Sequence, residues 1–321
     1  MIKTIKLWGS IAFIVSMCFV LSSCSIAQNN DIVAVKGKIL FQSDRPRGEG
    51  QAIYLLDNGN IKEILPGLHP KFFNRQKDVL YWNGSAIGLS KSAINDPAQS
   101  KLLFMDKYKP FQFDISPDGK TIVFTSTMGK EFAPYNIYSI NVNGEGLKQL
   151  TAFNKKTEWP IGSPSISPDG QKIVFEAPKD LDDSRSSPSL YLIKMDGTGL
   201  KEVFGDKFKG GIEASWSPDM KKLVFVWTVN GYRNLFTVDL SELKVNQLTD
   251  FNKKNFGHVY NPCYSPDGKQ ICFALKLRGV TAGQELFAVN ADGSNMIRLT
   301  PAKRVSRYPG WVTDQYPDWG K

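Results

Sequence analysis

Short apolar runs alternate with polar turn segments along the chain from residue 37 onward, and the pattern repeats at a regular period. The clearest marker of the repeat is a tetrad that reads Ser-Pro-Asp-Gly, or Ser-Pro-Asp-Met, at Ser116–Gly119, Ser167–Gly170, Ser217–Met220 and Ser265–Gly268. In each tetrad serine suits the first position of a type I turn, proline presets φ at the second, and glycine takes the left-handed position that closes the turn. Each tetrad lies between two apolar runs and therefore predicts a tight hairpin.

The runs that follow each tetrad predict three further strands per repeat. The second strands are Thr121–Thr125, Lys172–Glu176, Lys222–Val226 and Gln270–Ala274. The third strands are Asn136–Asn141, Leu190–Lys194, Asn234–Asp239 and Glu285–Asn290. Short fourth strands are expected at Leu147–Thr151, Val245–Thr249 and Met296–Thr300, after Asn-Gly or Asp-Gly turns in most repeats. Four antiparallel strands at a period near 50 residues are typical of a propeller blade.

Two less regular units complete the ring. Residues 70–106 hold a blade in which Asn74-Arg75-Gln76 replaces the tetrad and is one residue shorter, and residues 37–66 hold three strands without a first strand. We expect the missing strand from the C-terminus, at Tyr308–Trp311 or Tyr316–Trp319. The predicted fold class is all-β: a six-bladed β-propeller of four-stranded antiparallel blades, closed by a C-terminal strand that joins the N-terminal blade.

These repeats resemble those of the TolB-type β-propellers. The resemblance rests on the Ser-Pro-Asp-Gly-Lys tetrads, the Leu-Thr strand ends and the segment Ser43-Asp44-Arg45 before Ala52-Ile53-Tyr54, and it covers roughly residues 37–320. It is specific for fold and weak for function. The family implies a periplasmic partnership with a peptidoglycan-associated lipoprotein. TolB carries an α/β domain before its propeller, whereas about a dozen residues separate Cys24 from the first predicted strand here.

The N-terminus has the layout of an export signal. Lys3 and Lys6 precede an apolar run that ends at Leu21-Ser22-Ser23-Cys24, which resembles a bacterial lipobox. We therefore expect a signal peptide at 1–23, a lipidated Cys24, a linker at 24–36 and the propeller at 37–321. The resemblance implies a membrane-anchored lipoprotein of the bacterial cell envelope, on the periplasmic face of the outer membrane if the host is Gram-negative.

The exported compartment permits disulfides, and two cysteines remain after processing, Cys263 and Cys272. They flank the hairpin at Ser265–Gly268. A four-residue turn would place them opposite each other, whereas a three-residue loop with a glycine bulge would put them on opposite faces and forbid a bond. The turn chemistry favours the bulge, and two small core cysteines are the simpler interpretation.

Sequence motifs for catalysis are sparse. The chain has two histidines, His69 and His258, both expected in loops, which is too few for a site of three imidazoles. It shows no Gly-x-Ser-x-Gly elbow and no phosphate-binding glycine loop. Asp180, Asp182 and Asp183 could hold Ca²⁺, but a solvated loop explains them as well. We expect no metal site, no other cofactor and no catalytic residue.

The loops that join successive blades are strongly basic. They hold eleven Lys or Arg and four Asp or Glu, a surplus of +7 that equals the formal net charge left when residues 1–23 are removed from the +9 of the whole chain. The candidate ligand-binding residues in these loops are Lys155, Lys156, Trp159, Lys207, Lys209, Lys253, Lys254, Lys303, Arg304 and Arg307. A ring of lysines at a channel mouth attracts anions, and interleaved aromatics such as Phe153 and Phe251 suit peptide or glycan contact. Lysines collected in loops for solubility would give the same composition.

The sequence thus predicts a non-catalytic binding or scaffold module, lipid-anchored and monomeric, for an envelope protein or an anionic envelope polymer. Nucleic acid is not expected, given the export signal. The alternative is a lyase or hydrolase that acts on an anionic polysaccharide in the central channel. A convergent acid–base pair or a metal cluster at the channel would distinguish the two.

Overall fold

Six four-stranded antiparallel sheets form the propeller. The computed structural model describes residues 35–44, 51–73, 76–83, 88–105, 108, 110–131, 133–154, 161–180, 186–205, 210–251, 257–276, 283–300 and 313–320. In chain order the strands are β1 (Lys38–Ser43), β2 (Ala52–Asp57), β3 (Asn60–Pro66), β4 (Leu68–Phe73), β5 (Asp78–Asn83), β6 (Gly88–Ala93), β7 (Asp96–Met105), β8 (Phe113–Ile115), β9 (Thr121–Ser126), β10 (Asn136–Asn141), β11 (Lys148–Gln149), β12 (Gly162–Ile166), β13 (Lys172–Pro178), β14 (Pro188–Lys194), β15 (Lys201–Glu202), β16 (Ile212–Trp216), β17 (Lys222–Val229), β18 (Tyr232–Asp239), β19 (Val245–Gln247), β20 (His258–Tyr264), β21 (Gln270–Lys276), β22 (Gln284–Asn290), β23 (Ile297–Arg298) and β24 (Asp314–Gly320).

Each blade runs outward from an innermost strand. Blade 1 has the order β24-β1-β2-β3, and blades 2 to 6 take β4–β7, β8–β11, β12–β15, β16–β19 and β20–β23. The six-bladed prediction is therefore confirmed, together with its closure by a C-terminal strand. The closing strand contains Tyr316–Trp319; the other candidate, Tyr308–Trp311, lies outside the described residues.

The tetrad turns have the predicted geometry. Gly119, Gly170 and Gly268 have a φ of 71°, and Met220 takes the same position at 62°. A side-chain network completes each turn. In blade 6 Ser265 Oγ donates to Asp267 Oδ1 at 2.7 Å and accepts the Gln270 N–H at 2.9 Å. Ser265 N–H also donates to Gln270 O at 2.8 Å, so the loop holds four residues. The expected three-residue loop with a bulge is thus wrong.

Aromatic cross-strand pairs fill the middle of five blades. Each pair joins the second and third strands at directly opposed positions, with ring centroids 5.7–6.1 Å apart and planes 22–28° apart. The pairs are Phe41–Tyr54, Phe124–Tyr138, Phe175–Tyr191, Phe225–Phe236 and Phe273–Phe287. Stacked aromatic pairs add stability beyond the area that they bury. They account for the strong apolar runs of the second and third strands.

Blade 2 is complete despite its shortened turn. Its fourth strand, β7, begins at Asp96, five residues before the strand Lys101–Asp106 that the apolar pattern of this blade predicts, because Ile94-Asn95 form a two-residue turn between β6 and β7. His69 lies in β4, and His258 begins β20, so the expectation that both histidines occupy loops is wrong.

The described residues contain no helix long and apolar enough to cross a membrane. The predicted signal segment and Cys24 lie outside that part of the chain.

Candidate functional site: the central channel

The six innermost strands surround a cavity of about 250 Å³ on the propeller axis. Two sets of side chains line it, one from each of two positions that recur on these strands or, for Gln112, directly before the strand. We call the residues at the earlier position the first ring: Tyr316, His69, Gln112, Ser163, Glu213 and Asn261. The residues two positions later form the second ring: Asp318, Lys71, Asp114, Ser165, Ser215 and Cys263.

A β-bulge creates this arrangement in five of the six innermost strands. Between Leu68 and Lys71, for example, β4 has one residue more than its partner β5, and equivalent register shifts occur in β12, β16, β20 and β24. In all five the first-ring residue is left-handed, with φ of 47–54°. Non-glycine residues rarely adopt this conformation, and bulges typically redirect side chains beside functional sites.

The second ring contains a charged triad. Lys71 Nζ lies 3.7 Å from Asp114 Oδ1 and 3.9 Å from Asp318 Oδ1. Burial opposes the charge on Lys71, but the two aspartates outweigh it and raise the pKa of the lysine. The other oxygens of the aspartates accept backbone N–H groups of the next blade, from Ile166 at 2.8 Å and Phe72 at 2.6 Å. The triad therefore links neighbouring blades.

First-ring residues are tied across blade boundaries in a similar way. The N–H groups of the left-handed residues His69 and Ser163 donate to Gln42 Oε1 at 2.9 Å and to Gln112 Oε1 at 2.6 Å. In each case the acceptor belongs to the preceding blade. The bulge turns these N–H groups away from the sheet ladder, and the side-chain acceptors satisfy them.

Two carboxylates continue this series on the opposite side of the channel. Glu213 N–H donates to Glu176 Oε2 at 2.8 Å, and Asn261 N–H donates to Glu213 Oε2 at 2.6 Å. Arg233 Nη1 lies 3.5 Å from Glu213 Oε1 and its guanidinium covers the Tyr260 ring at 4.7 Å. Burial, and then the charge of Glu213, raise the pKa of Glu176 to about 7. Burial also raises the pKa of Glu213, against the opposing effects of the Asn261 N–H and Arg233.

His69 is neutral at physiological pH. Burial and the nearby Lys71 lower its pKa to about 4. Its ring lies 4.1 Å from that of Tyr316, centroid to centroid. Burial also raises the pKa of Tyr316, so the phenol is protonated. These two residues form an uncharged aromatic sector of the first ring.

The lining of the channel is therefore net acidic. Among the described residues that line it, Lys71 is the one cation, whereas Asp114, Asp318 and Glu213 are carboxylates. Each of these four charged groups is paired or hydrogen-bonded to another part of the propeller. This pattern favours a structural use of the charges, and it contrasts with the basic loops predicted between the blades.

Glu176→Gln is expected to remove a pH dependence of stability. The pKa of Glu176 is above its ordinary value in the folded protein, so the native state retains a proton that the unfolded chain releases. Its contribution is fully present below about pH 4.5 and is lost as pH rises through about 7. Between pH 5 and pH 8 the free energy of unfolding should fall more steeply in the native protein than in the variant. Urea unfolding at several pH values measures this difference, and Glu242→Gln, at an exposed position, is the control. Equal slopes in native protein and variant would contradict the assignment.

The sequence-predicted ligand residues are not among those whose placement is described. Lys155, Lys156, Trp159, Lys207, Lys209, Lys253, Lys254, Lys303, Arg304 and Arg307 all lie outside the described residues. Asp182 and Asp183 also lie outside them, whereas Asp180 is exposed. The basic loops thus remain a prediction.

The shared segment Leu-Thr-x-Phe before two of these loops has a structural explanation. Thr151 Oγ1 accepts the Ile137 N–H at 2.9 Å and donates to Asn136 Oδ1 at 2.9 Å, and Phe153 N–H donates to the same Asn136 oxygen at 2.8 Å. Asn234, Thr249 and Phe251 repeat this network in blade 5. Phe153 packs against one core cluster and Phe251 is buried in another. Phe251 is therefore a core residue and does not serve ligand contact, whereas Phe153 is half-buried and its role in ligand contact stays a prediction.

Sequence reasoning missed the channel residues. The Pro-x-aromatic start of the first strands was recognisable, as in Tyr316-Pro317-Asp318-Trp319, and it lies directly on the bulge. The residue before proline is the left-handed first-ring residue in β4, β20 and β24, which have this pattern, and in β12, where Ile166 takes the place of the aromatic. This alignment could have located the first ring, although not its contacts.

We also searched the described residues for side chains that could bind a metal ion. Among the described residues no three His, Cys, Asp or Glu side chains are grouped so that they could hold a metal ion.

Comparison with known proteins identifies the repeats. A family profile described as the TolB beta propeller domain matches residues 154–316. A Tol-Pal system protein TolB from Francisella tularensis subsp. tularensis is 26% identical over 265 residues, which is 78% of this chain and 53% of the relative. The chain therefore spans about half the length of that relative.

Solved structures give the same architecture. The crystal structure of TolB from Acinetobacter baumannii is 18% identical with a TM-score of 0.68, over 88% of this chain and 66% of that one. An oligogalacturonate lyase in complex with manganese is also 18% identical, with a TM-score of 0.55, over 82% of this chain and 73% of that one. At these identities the likeness extends to the fold alone.

Proposed function

The chain belongs to the TolB β-propeller family, and from that premise we propose that it is a non-catalytic binding module that docks a protein of the bacterial cell envelope. The docking face is the one on which the loops between blades gather. The curated relative is named as part of the Tol-Pal system, and a role in a comparable envelope assembly fits the export signal in the sequence. Membrane anchoring through Cys24 is part of the same proposal.

The observation that carries the proposal is that the charged side chains of the channel are hydrogen-bonded to, or paired with, other parts of the propeller. An acid–base catalyst needs a group that is free to exchange protons with a substrate. Here Glu213 accepts an N–H group of the next blade, and Asp114 and Asp318 do the same beside Lys71. These carboxylates stabilise the ring, which supports a rigid scaffold whose binding surface is carried by loops.

The predicted basic loops suggest the chemistry of the partner. Lysines converging on one face raise the local potential and attract an acidic surface. An acidic envelope protein is favoured over an anionic polymer because the family relative is named within a protein assembly. The polymer then becomes an outcome of the test.

Reversing four lysines should weaken binding. In the combined variant Lys155→Glu, Lys156→Glu, Lys253→Glu, Lys254→Glu we expect a loss of captured partner of about tenfold at low salt. Each exposed pair contributes about 0.2–1 kcal/mol, and the four contributions add. The difference should shrink at high salt because exposed charges are screened. The measurement is a crosslinked pull-down of the tagged protein from its own envelope, with proteins and glycans both identified.

A control variant with the same net charge carries four lysine-to-glutamate substitutions on the other end of the propeller. Lys120, Lys172, Lys221 and Lys269 are exposed in or next to the Ser-Pro-Asp turns, on the opposite end of the innermost hairpins. Reversal of these four should leave capture unchanged. Equal capture by both variants would overturn the basic-face proposal. Recovery of an anionic glycan without a protein would replace the protein partner with a polymer, and turnover of that glycan would support the enzyme alternative.

A further inference from the structure

We propose that Cys263 and Cys272 form a redox pair, which closes by thiol–disulfide exchange into a disulfide across β20 and β21 in the channel wall. The proposal is independent of the docking function. It assigns a modification site to the second ring, where Cys263 is the member contributed by blade 6.

The register of the hairpin places the two residues directly opposite each other. Cys263 pairs with Cys272 in the antiparallel ladder, two steps from the pair of Ser265 and Gln270. Ser265 N–H donates to Gln270 O, so alternation makes the cysteines a hydrogen-bonded pair as well. Such pairs have Cα atoms about 5.5 Å apart. Disulfides span about 4.4–6.8 Å between Cα atoms, so this separation lies within the range that a disulfide bridges.

The two side chains also point to the same side of the sheet. Both pack in the apolar cluster between blade 6 and blade 1, with Ile39, Phe41 and Trp319. The thiols are free and lie within hydrogen-bond distance of each other. Opposed positions with a shared face are the arrangement that a cross-strand disulfide requires.

Their exposure gives the two thiols different roles. Cys272 is fully buried, and burial, followed by its contact with Cys263, raises the pKa of its thiol well above the ordinary value. Cys263 is half-buried and lines the channel, close enough to Lys71 to contribute to the raised pKa of that lysine. A reagent in the channel therefore reaches Cys263 first, and Cys272 is the resolving thiol.

The reaction needs a disulfide donor, either a low-molecular-weight disulfide or an oxidoreductase with a disulfide. The sulfur of Cys263, after loss of its proton, attacks one sulfur of the donor and releases the first donor thiol. Cys272 loses its proton and attacks Cys263 Sγ in the mixed disulfide, which releases the second donor thiol. The two cysteines lose two electrons in total, and the donor is reduced to two thiols.

The test is a redox titration of the full-length protein in its native state. The protein is equilibrated in buffers of reduced and oxidised glutathione, alkylated with N-ethylmaleimide under denaturing conditions, and analysed by intact mass and peptide mapping. We expect a loss of 2 Da and two fewer alkylations at the oxidising end. Cleavage after Lys269 should yield two peptides joined through Cys263 and Cys272, which also separates this pair from Cys18 and Cys24.

Single-cysteine variants serve as controls. In Cys263→Ser and in Cys272→Ser, the one thiol left in the β20–β21 hairpin should remain alkylatable at every potential. The oxidised native protein should melt several degrees higher than the reduced protein, a shift that dithiothreitol reverses and both variants lack. Circular dichroism verifies that the reduced protein and the variants are folded.

Two results would overturn the proposal. One is that both thiols of the native protein remain alkylatable under fully oxidising conditions. The other is that Cys263 carries a stable adduct of the donor while Cys272 stays free. A Cys263–Cys272 disulfide that forms only after the protein is unfolded in urea would also overturn the proposal, because the native register would then not support the bond.

Discussion

Trp319→Ala is expected to lower the free energy of unfolding by about 4 kcal/mol, the range found when a large buried aromatic is truncated. Trp319 is 6% exposed and packs with the cluster between blades 6 and 1. Its indole N–H donates to Lys36 O at 2.9 Å, and its backbone pairs with Ile39 of β1. The substitution therefore removes apolar contact and a hydrogen bond at the point where the ring closes.

Guanidinium unfolding followed by far-ultraviolet circular dichroism measures the effect. Phe111→Ala is the control, because that aromatic is 48% exposed and its removal should cost less than about 1 kcal/mol. A loss below about 1 kcal/mol in Trp319→Ala would mean that the closing strand contributes little to holding the ring together.

Lys71→Met is expected to cost about 2–3 kcal/mol at pH 8, since it leaves Asp114 and Asp318 in the channel wall without their shared cation. The figure is below the 3–5 kcal/mol typical of a broken buried pair because the Lys71 side chain is 32% exposed. Burial already raises the pKa of Asp318, and loss of Lys71 raises it further, so protonation relieves the repulsion. The cost should therefore shrink as pH falls towards 4.

The double variant Lys71→Met, Asp318→Asn separates charge from packing. It removes one carboxylate charge and should recover about half of the stability lost in the single variant at pH 8, whereas Lys120→Met, at an exposed position, should change little. Urea unfolding of the four proteins gives the comparison. A single variant whose deficit is the same at pH 4 and pH 8 would show that Lys71 acts through its aliphatic stem.

The fold could be predicted from the sequence because its determinants are local. Each Ser-Pro-Asp tetrad carries its own turn chemistry, and the network of Ser265 and Asp267 uses residues within five positions of one another. The third strand at Asn136–Asn141 was predicted to the residue for the same reason. The position of the closing strand followed from counting strands, although two segments fitted equally well.

The channel could not be predicted because its contacts join distant residues. Glu176 is an ordinary residue in a second strand until Glu213, 37 positions later, brings its N–H to it. The left-handed residue of the bulge is Glu213 and not a glycine, so the sequence does not indicate the bulge. The turn of the cysteine hairpin was mistaken because the side chains of Ser265 and Asp267 stabilise a four-residue loop over the bulged alternative. Apolar periodicity carries no information about any of these.

The pairing of β1 with β24 means that blade 1 can be completed only after the last described strand has been synthesised. β1 begins at Lys38, but its inner neighbour is the last of the described strands in chain order and ends at Gly320. The Trp319–Lys36 hydrogen bond spans 283 positions. Pairings so distant in sequence slow folding. During synthesis blade 1 has an unpaired inner edge while the other five blades are made, so this edge is where a chaperone or a second nascent chain would compete with β24.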